Sequence, residues 1–301
     1  MLLSALVLLA AAVTPAGGFT DAARSLDGRA ECVPFRWEDD GQGNPRAAMS
    51  VAVRVNGEPK RFQVDTGADT SILYGAASDT AGWSTPDARF FRPATLTIGA
   101  TTLERPYTVI LRDMAADGID GTLGLPALVG RVTVIDYPGR RLCLFKDADL
   151  PRAVGAAAQF VAGALHDGKF FLPLQVGTTR WRDVMLDTGS SAMPLTIDRS
   201  RWLDATGRSS TVRPPKTIAG SSWGKPVSFA GAPAARPVSI GGTIELGRPL
   251  LFTQADAPDG FARYPFPADG ILGNASLWDG MVVLILTGRT DFGYIAPRPT
   301  R

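Results

Sequence analysis

The sequence predicts an all-β protein of two related lobes, and three observations carry that prediction. Short runs of alternating apolar and polar residues recur along the chain, punctuated by Gly, Pro and Asn-Gly, as expected of half-buried strands joined by tight turns. Stretches with a helical period are few. The parts also occur twice in the same order, so the chain reads as an internal duplication of one β-rich unit. A length of 301 residues leaves room for two modest domains.

The chain opens with an apolar run followed by Thr14-Pro15-Ala16-Gly17-Gly18. The run is too short to span a bilayer and ends in small residues, so residues 1–18 read as a signal peptide cleaved between Ala12 and Gly18, although no Lys or Arg precedes it. The mature protein is then expected in the periplasm or outside the cell. Residues 19–147 form the expected first lobe, 148–168 an interlobe linker and 169–301 the second lobe. Residues 19–48 are polar and read as irregular, with little room for a long inhibitory pro-segment.

The first unit begins with a strand at 50–55, a turn at Asn56-Gly57 and a returning strand at 61–64 that runs into Asp65. Strands at 96–98 and 103–111 follow, then Ile119-Asp120-Gly121-Thr122-Leu123-Gly124, a short helix at 126–129, and a closing strand pair at 132–135 and 142–145. The second unit repeats the order. It has a strand at 171–176, a turn at Gly177-Thr178 and a strand at 181–186 into Asp187. Strands at 238–242 and 244–252 come next, then Ala268-Asp269-Gly270-Ile271-Leu272-Gly273, a short helix at 275–278, and closing strands at 282–286 and 292–295.

Composition narrows the chemistry. Hydrophobic content of 45% and charged content of 20% are those of a globular chain. A net charge of +2 gives no electrostatic case for nucleic acid or an anionic membrane as partner. The single histidine, His166, falls in the linker and reads as a solvated loop residue. One His and two Cys provide neither a His-based triad nor a zinc cluster, so no metal or cofactor is expected and the hydrolytic candidates are carboxylates. Cys32 and Cys143 each fall beside a strand. In an oxidising compartment they could close a loop of about 110 residues, and otherwise they are two buried thiols.

The carboxylates stand in a repeated setting. Asp65-Thr66-Gly67-Ala68-Asp69 and Asp187-Thr188-Gly189-Ser190-Ser191 each follow an apolar run and precede another, one in each half. Two carboxylates held together can share one proton, because like charges a few ångströms apart cannot both ionise. One then serves as base toward water and the other as acid toward the substrate. Gly67 and Gly189 allow close backbone approach, so that their amides reach the carboxylates. The Thr66 and Thr188 hydroxyls are placed to lock the opposite loop.

These motifs resemble the aspartic protease families. The first is similar to the retroviral-type motif and the second to the pepsin type. The two apolar-apolar-Gly stretches at 119–124 and 268–273 resemble the braces of their catalytic loops. The resemblance implies two β-barrel-like lobes with a cleft between them, an Asp65/Asp187 dyad and a peptide or protein substrate. Both motifs lie in one chain, so a monomer suffices, whereas a retroviral-type enzyme needs a homodimer. It also implies flaps between motif and brace. In the second half the candidate is a hairpin with its tip at Gly220-Ser221-Ser222-Trp223-Gly224, and in the first half a shorter flap at 83–91. Asp69 reads as structural or subsite-forming. A Ser190 hydroxyl on Asp187, with Ala68 unable to do the same for Asp65, would leave the shared proton on Asp65. On that reading Ser190→Ala moves the acid limb of the pH–rate profile upward. The alternatives to an aspartic endopeptidase are a peptide-binding protein with this fold but no turnover, and a glycosidase with paired carboxylates.

Overall fold

The structure is a computed structural model that describes residues 18–75, 83–84, 89–103, 109–112, 118–222, 225–255, 261 and 266–297. In both halves a strand hairpin delivers the acidic motif. Strand Ala48–Val55 pairs with Glu58–Asp65, and strand Lys169–Val176 pairs with Thr179–Leu186. Each turn is two residues long, with Asn56 and Gly57 at positive φ in the first. The returning strand ends at the acidic residue in the first half and one residue short of it in the second.

Each brace is a short strand laid between the strand entering the acidic loop and the strand leaving it. Gly121–Gly124 runs parallel to Glu58–Asp65 and antiparallel to Ser71–Tyr74. Gly270–Leu272 runs parallel to Thr179–Leu186 and antiparallel to Leu195–Thr196. The Asp that opens each brace ties it down. Asp120 Oδ2 accepts the Arg61 N–H at 2.7 Å, and Asp269 Oδ2 accepts the Arg182 N–H at 2.7 Å. The turns expected as helices after the braces are single 3-10 turns, Leu125–Ala127 and Asn274–Ser276.

The closing strand pairs do not end their own lobes. Val132–Asp136 pairs with Met281–Leu286, so both closing pairs join one antiparallel sheet shared by the two halves. Cys32–Glu38 and Gln159–Ala162 complete it. Both faces are buried, as the unbroken apolar runs of its central strands require. Val132, Val134, Val283 and Ile285 pack under helices Gly18–Ser25 and Arg152–Ala157 through Ala22 and Val154, with Leu26 in the turn just past the first helix. Ile135, Val282, Leu284 and Phe292 point into the main core. Cys32 and Cys143 face each other in this sheet and form a disulfide.

Three expectations need correction. The stretch 19–48 is not irregular, since it carries helix Gly18–Ser25 and strand Cys32–Glu38. The interval 148–168 is more than a linker, since strand Gln159–Ala162 extends the shared sheet and Ala164–His166 pairs with the second lobe. His166 lies on that strand and stacks on Phe171 with ring centroids 4.1 Å apart. Residues 1–17 of the expected signal peptide, 1–18, lie outside the described residues. Among the described residues no helix is long and apolar enough to cross a membrane.

The disulfide ties the first strand of the shared sheet to the strand beside it across 111 positions. A Cys32→Ala/Cys143→Ala double variant should lose about 2–4 kcal/mol of unfolding free energy, read from denaturant midpoints against the wild type without reductant. Equal midpoints would contradict that account.

Candidate active site

The two acidic loops meet at the junction of the lobes through four reciprocal hydrogen bonds. The Thr66 N–H donates to Thr188 Oγ1 and the Thr188 N–H to Thr66 Oγ1, both at 3.0 Å. The Thr66 hydroxyl donates to the Leu186 carbonyl at 2.8 Å and the Thr188 hydroxyl to the Val64 carbonyl at 2.9 Å. Both threonines are buried. Each hydroxyl therefore bonds the backbone immediately before the opposite aspartate, so neither loop can shift without the other.

This lock sets the carboxyls face to face. A Cβ on Gly67 would lie 2.5 Å from Asp187 Oδ1, and one on Gly189 would lie 2.6 Å from Asp65 Cγ. Only glycine allows this approach. Asp65 Oδ1 accepts the Gly67 N–H at 2.8 Å. Asp187 Oδ1 accepts two amides, Gly189 at 2.9 Å and Ser190 at 3.2 Å.

Burial, the neighbouring charge of Asp187 and the hydrogen bond to it hold the Asp65 carboxyl well above the usual carboxylate range. Burial raises Asp187 as well. There the hydrogen bond from Asp65, the Gly189 and Ser190 amides and the charge of Lys169 push the other way. Two carboxyls buried together favour a pair that holds a single proton, and what lowers Asp187 within it is its own set of donors. The cause differs from the expected one. It is the Ser190 backbone amide that reaches Asp187, and the Ser190 hydroxyl makes no hydrogen bond among the described residues.

The structure thus brings together Asp65, Thr66, Gly67, Asp187, Thr188, Gly189 and Ser190. The second-half flap candidate is a hairpin, Lys216–Ser222 with Lys225–Pro233, and Gly220 lies on its first arm opposite Val227. Its tip, Trp223 and Gly224, and the side chains of Ser221 and Ser222 lie outside the described residues. The first-half candidate pairs Trp83 with Phe90, and residues 85–88 lie outside them. Cys32 and Cys143 belong to the shared sheet and not to this site.

Sequence reasoning missed two supports. Asn274, fully buried, donates from Nδ2 to the Thr188 carbonyl at 2.9 Å and to Ser191 Oγ at 2.8 Å. Tyr137 from the first half donates to Asn274 Oδ1 at 2.6 Å. Lys169, also buried, donates to the Gly67 carbonyl at 2.6 Å. A position-by-position comparison of the two copies carries the signal, since Leu125 and Ala48 stand where Asn274 and Lys169 do.

The architecture is matched among solved structures. An aspartic proteinase from Irpex lacteus superposes with a TM-score of 0.53 at 15% identity, over 89% of this chain and 97% of that one. Basic 7S globulin from soybean superposes with a TM-score of 0.52 at 12% identity, over 88% of this chain and 93% of that one. No protein-family model and no curated protein matches the sequence. The chain has the two-lobed, pepsin-like fold of the aspartic proteinases. A proteinase and a globulin share that fold, so function has to be argued from the site.

Two predictions follow from the local chemistry. An acid whose value is raised on folding takes up a proton, so its contribution to stability is present at low pH and is lost as pH rises through the raised value. The neutral Asp65→Asn protein should therefore gain in melting temperature over the wild type as pH rises above the ordinary carboxylate value of 3.8. A gap that does not change with pH would contradict the burial argument. Ser190→Ala keeps the backbone amide, so it should leave the acid limb of the pH–rate profile in place. An upward move would restore the role for the hydroxyl.

Proposed function

We propose that the chain is an aspartic endopeptidase that hydrolyses peptide bonds by water attack at an Asp65/Asp187 dyad. The supporting observation is the pair of buried carboxyls, each against the other's glycine, in surroundings that raise both above the usual carboxylate range and so favour a singly protonated pair. The Asp187 carboxylate takes a proton from water as the water oxygen bonds to the peptide carbonyl carbon. Asp65 gives its proton to the carbonyl oxygen. When the tetrahedral species collapses, the C–N bond breaks, the nitrogen takes a proton from Asp187, and a diol hydroxyl returns one to Asp65. The dyad ends with the single proton it began with, and no covalent enzyme intermediate forms.

An extended peptide suits a cleft between two lobes, with the hairpin Lys216–Ser222 and Lys225–Pro233 as the candidate cover, and one chain carrying both motifs works as a monomer. The apolar leader and the Cys32–Cys143 bond support a periplasmic or extracellular site of action. The likeness to a 7S globulin keeps a second reading in view, a peptide-binding protein without turnover.

Digestion of a proteome-derived peptide library from acid to neutral pH separates the two. The wild type should cleave, and Asp65→Asn and Asp187→Asn should each lose about 10²–10⁴-fold or more in rate. Peptide binding without cleavage by the wild type would favour the second reading. Full activity of the Asp187→Asn protein would exclude the dyad.

A further inference from the structure

Lys169 opens strand Lys169–Val176 of the second lobe, yet its ammonium serves the loop of the first. Nζ donates to the Gly67 carbonyl at 2.6 Å, lies 3.7 Å from Asp69 Oδ2 and stands 5.7 Å from the Phe266 ring centroid. Its side chain is 9% exposed, against 66% for Asp69. Lysine is seldom buried to this degree without a partner. Here the closer partner is a backbone carbonyl of the acidic loop, and the ion pair is with a solvated acid.

The turn that delivers Lys169 is fitted to that loop. Asp167 and Gly168 take left-handed φ values of 50° and 68°. A Cβ on Gly168 would lie 2.9 Å from the Asp69 Cβ. The first lobe has no counterpart. Ser50 faces Gln63 as Phe171 faces Met185, which places Ala48 at the position of Lys169. Ser191 replaces Asp69 and bonds the Thr188 carbonyl and Asn274 instead.

We propose that Lys169 is a positioning residue that acts on the dyad from the opposite lobe, holding the Asp65 loop by its Gly67 carbonyl and setting the pH window in which one proton is shared. The consequence for turnover rests on the proteolytic reading, whereas the effect on the carboxyls does not. A fixed cation favours the charged form of each acid, and Lys169 lowers both carboxyls against the upward push of burial. The pair loses its protons in two macroscopic steps, and the one-proton form lies between them. Lys169 moves both steps to lower pH. Among the described residues, the other charged or titratable groups around it are Asp69 on the loop, His166 and Asp167 on its own hairpin, and Asp183 facing His166.

The test is a titration of the carboxyl carbons by NMR in protein labelled at aspartate, alongside the pH dependence of kcat/KM. Lys169→Met should move both steps, and both limbs, upward, and Lys169→Arg should bring them back toward the wild type. Asp69→Asn removes a negative charge beside Lys169, so it should move both downward. A lysine that only packs would cost stability or rate in Lys169→Met and leave the steps in place there, and that result overturns the proposal. Should Lys169→Met fail to fold, the exposed Asp69→Asn carries the test, and unmoved or raised steps there overturn it. Shifted steps in a protein that cleaves nothing would count against the proteolytic reading alone. Cleavage with unmoved steps would count against Lys169 alone.

Discussion

The reciprocal bonding of Thr66 and Thr188 is the constraint on which the site depends. Each hydroxyl accepts the other's amide and donates to the carbonyl just before the other's aspartate. A hydrogen bond of this kind contributes only about 1 kcal/mol net, but a buried group left unpaired costs about 1–3 kcal/mol. The lock therefore matters less as a source of stability than as a set of buried groups that are all satisfied in one arrangement of the lobes. In that arrangement the carboxyls are pressed together and desolvated, which is unfavourable for both in their charged forms.

The shared sheet offsets that cost. Its central strands, Val132–Asp136 and Met281–Leu286, come one from each half and are buried on both faces. Two helices cover one face and the main core covers the other. The lobes are thus joined by continuous backbone pairing, and not only by the bonds between the loops. Asp120 and Asp269 do the corresponding work within each lobe, tying the brace to the strand that carries the acid.

Much of this was legible in the sequence because it is local. A strand, a two-residue turn and a returning strand into Asp-Thr-Gly are set by neighbouring residues, and they recur twice. The shared sheet was not legible as such. The apolar runs at 132–135 and 282–286 show that both faces are buried, but no local pattern says that these strands pair with each other across the duplication. Helix Gly18–Ser25 escaped for a related reason, since it is short and polar overall and is held by what Ala22 and Leu26 touch. The Ser190 assignment failed because the donor is a backbone amide, present at every residue except proline and so invisible in side-chain identities.

Duplication also dictates where chemical inequality can arise. A repeated frame imposes nearly the same geometry on both aspartates, so a difference between them has to come from places where the copies diverge. Besides Ala68 against Ser190, three such places surround the loops: Ala48 against Lys169, Asp69 against Ser191, and Leu125 against Asn274. Together they support the Asp65 loop by a cation from the second lobe, and the Asp187 loop by a neutral amide that Tyr137 steadies from the first half. Each loop is thus held partly by the other half of the chain, and by different chemistry. Two identical chains related by a twofold axis would place both supports at both loops or neither. Carrying both halves in one chain removes that restriction, and the two carboxyls of the pair stand in unlike surroundings.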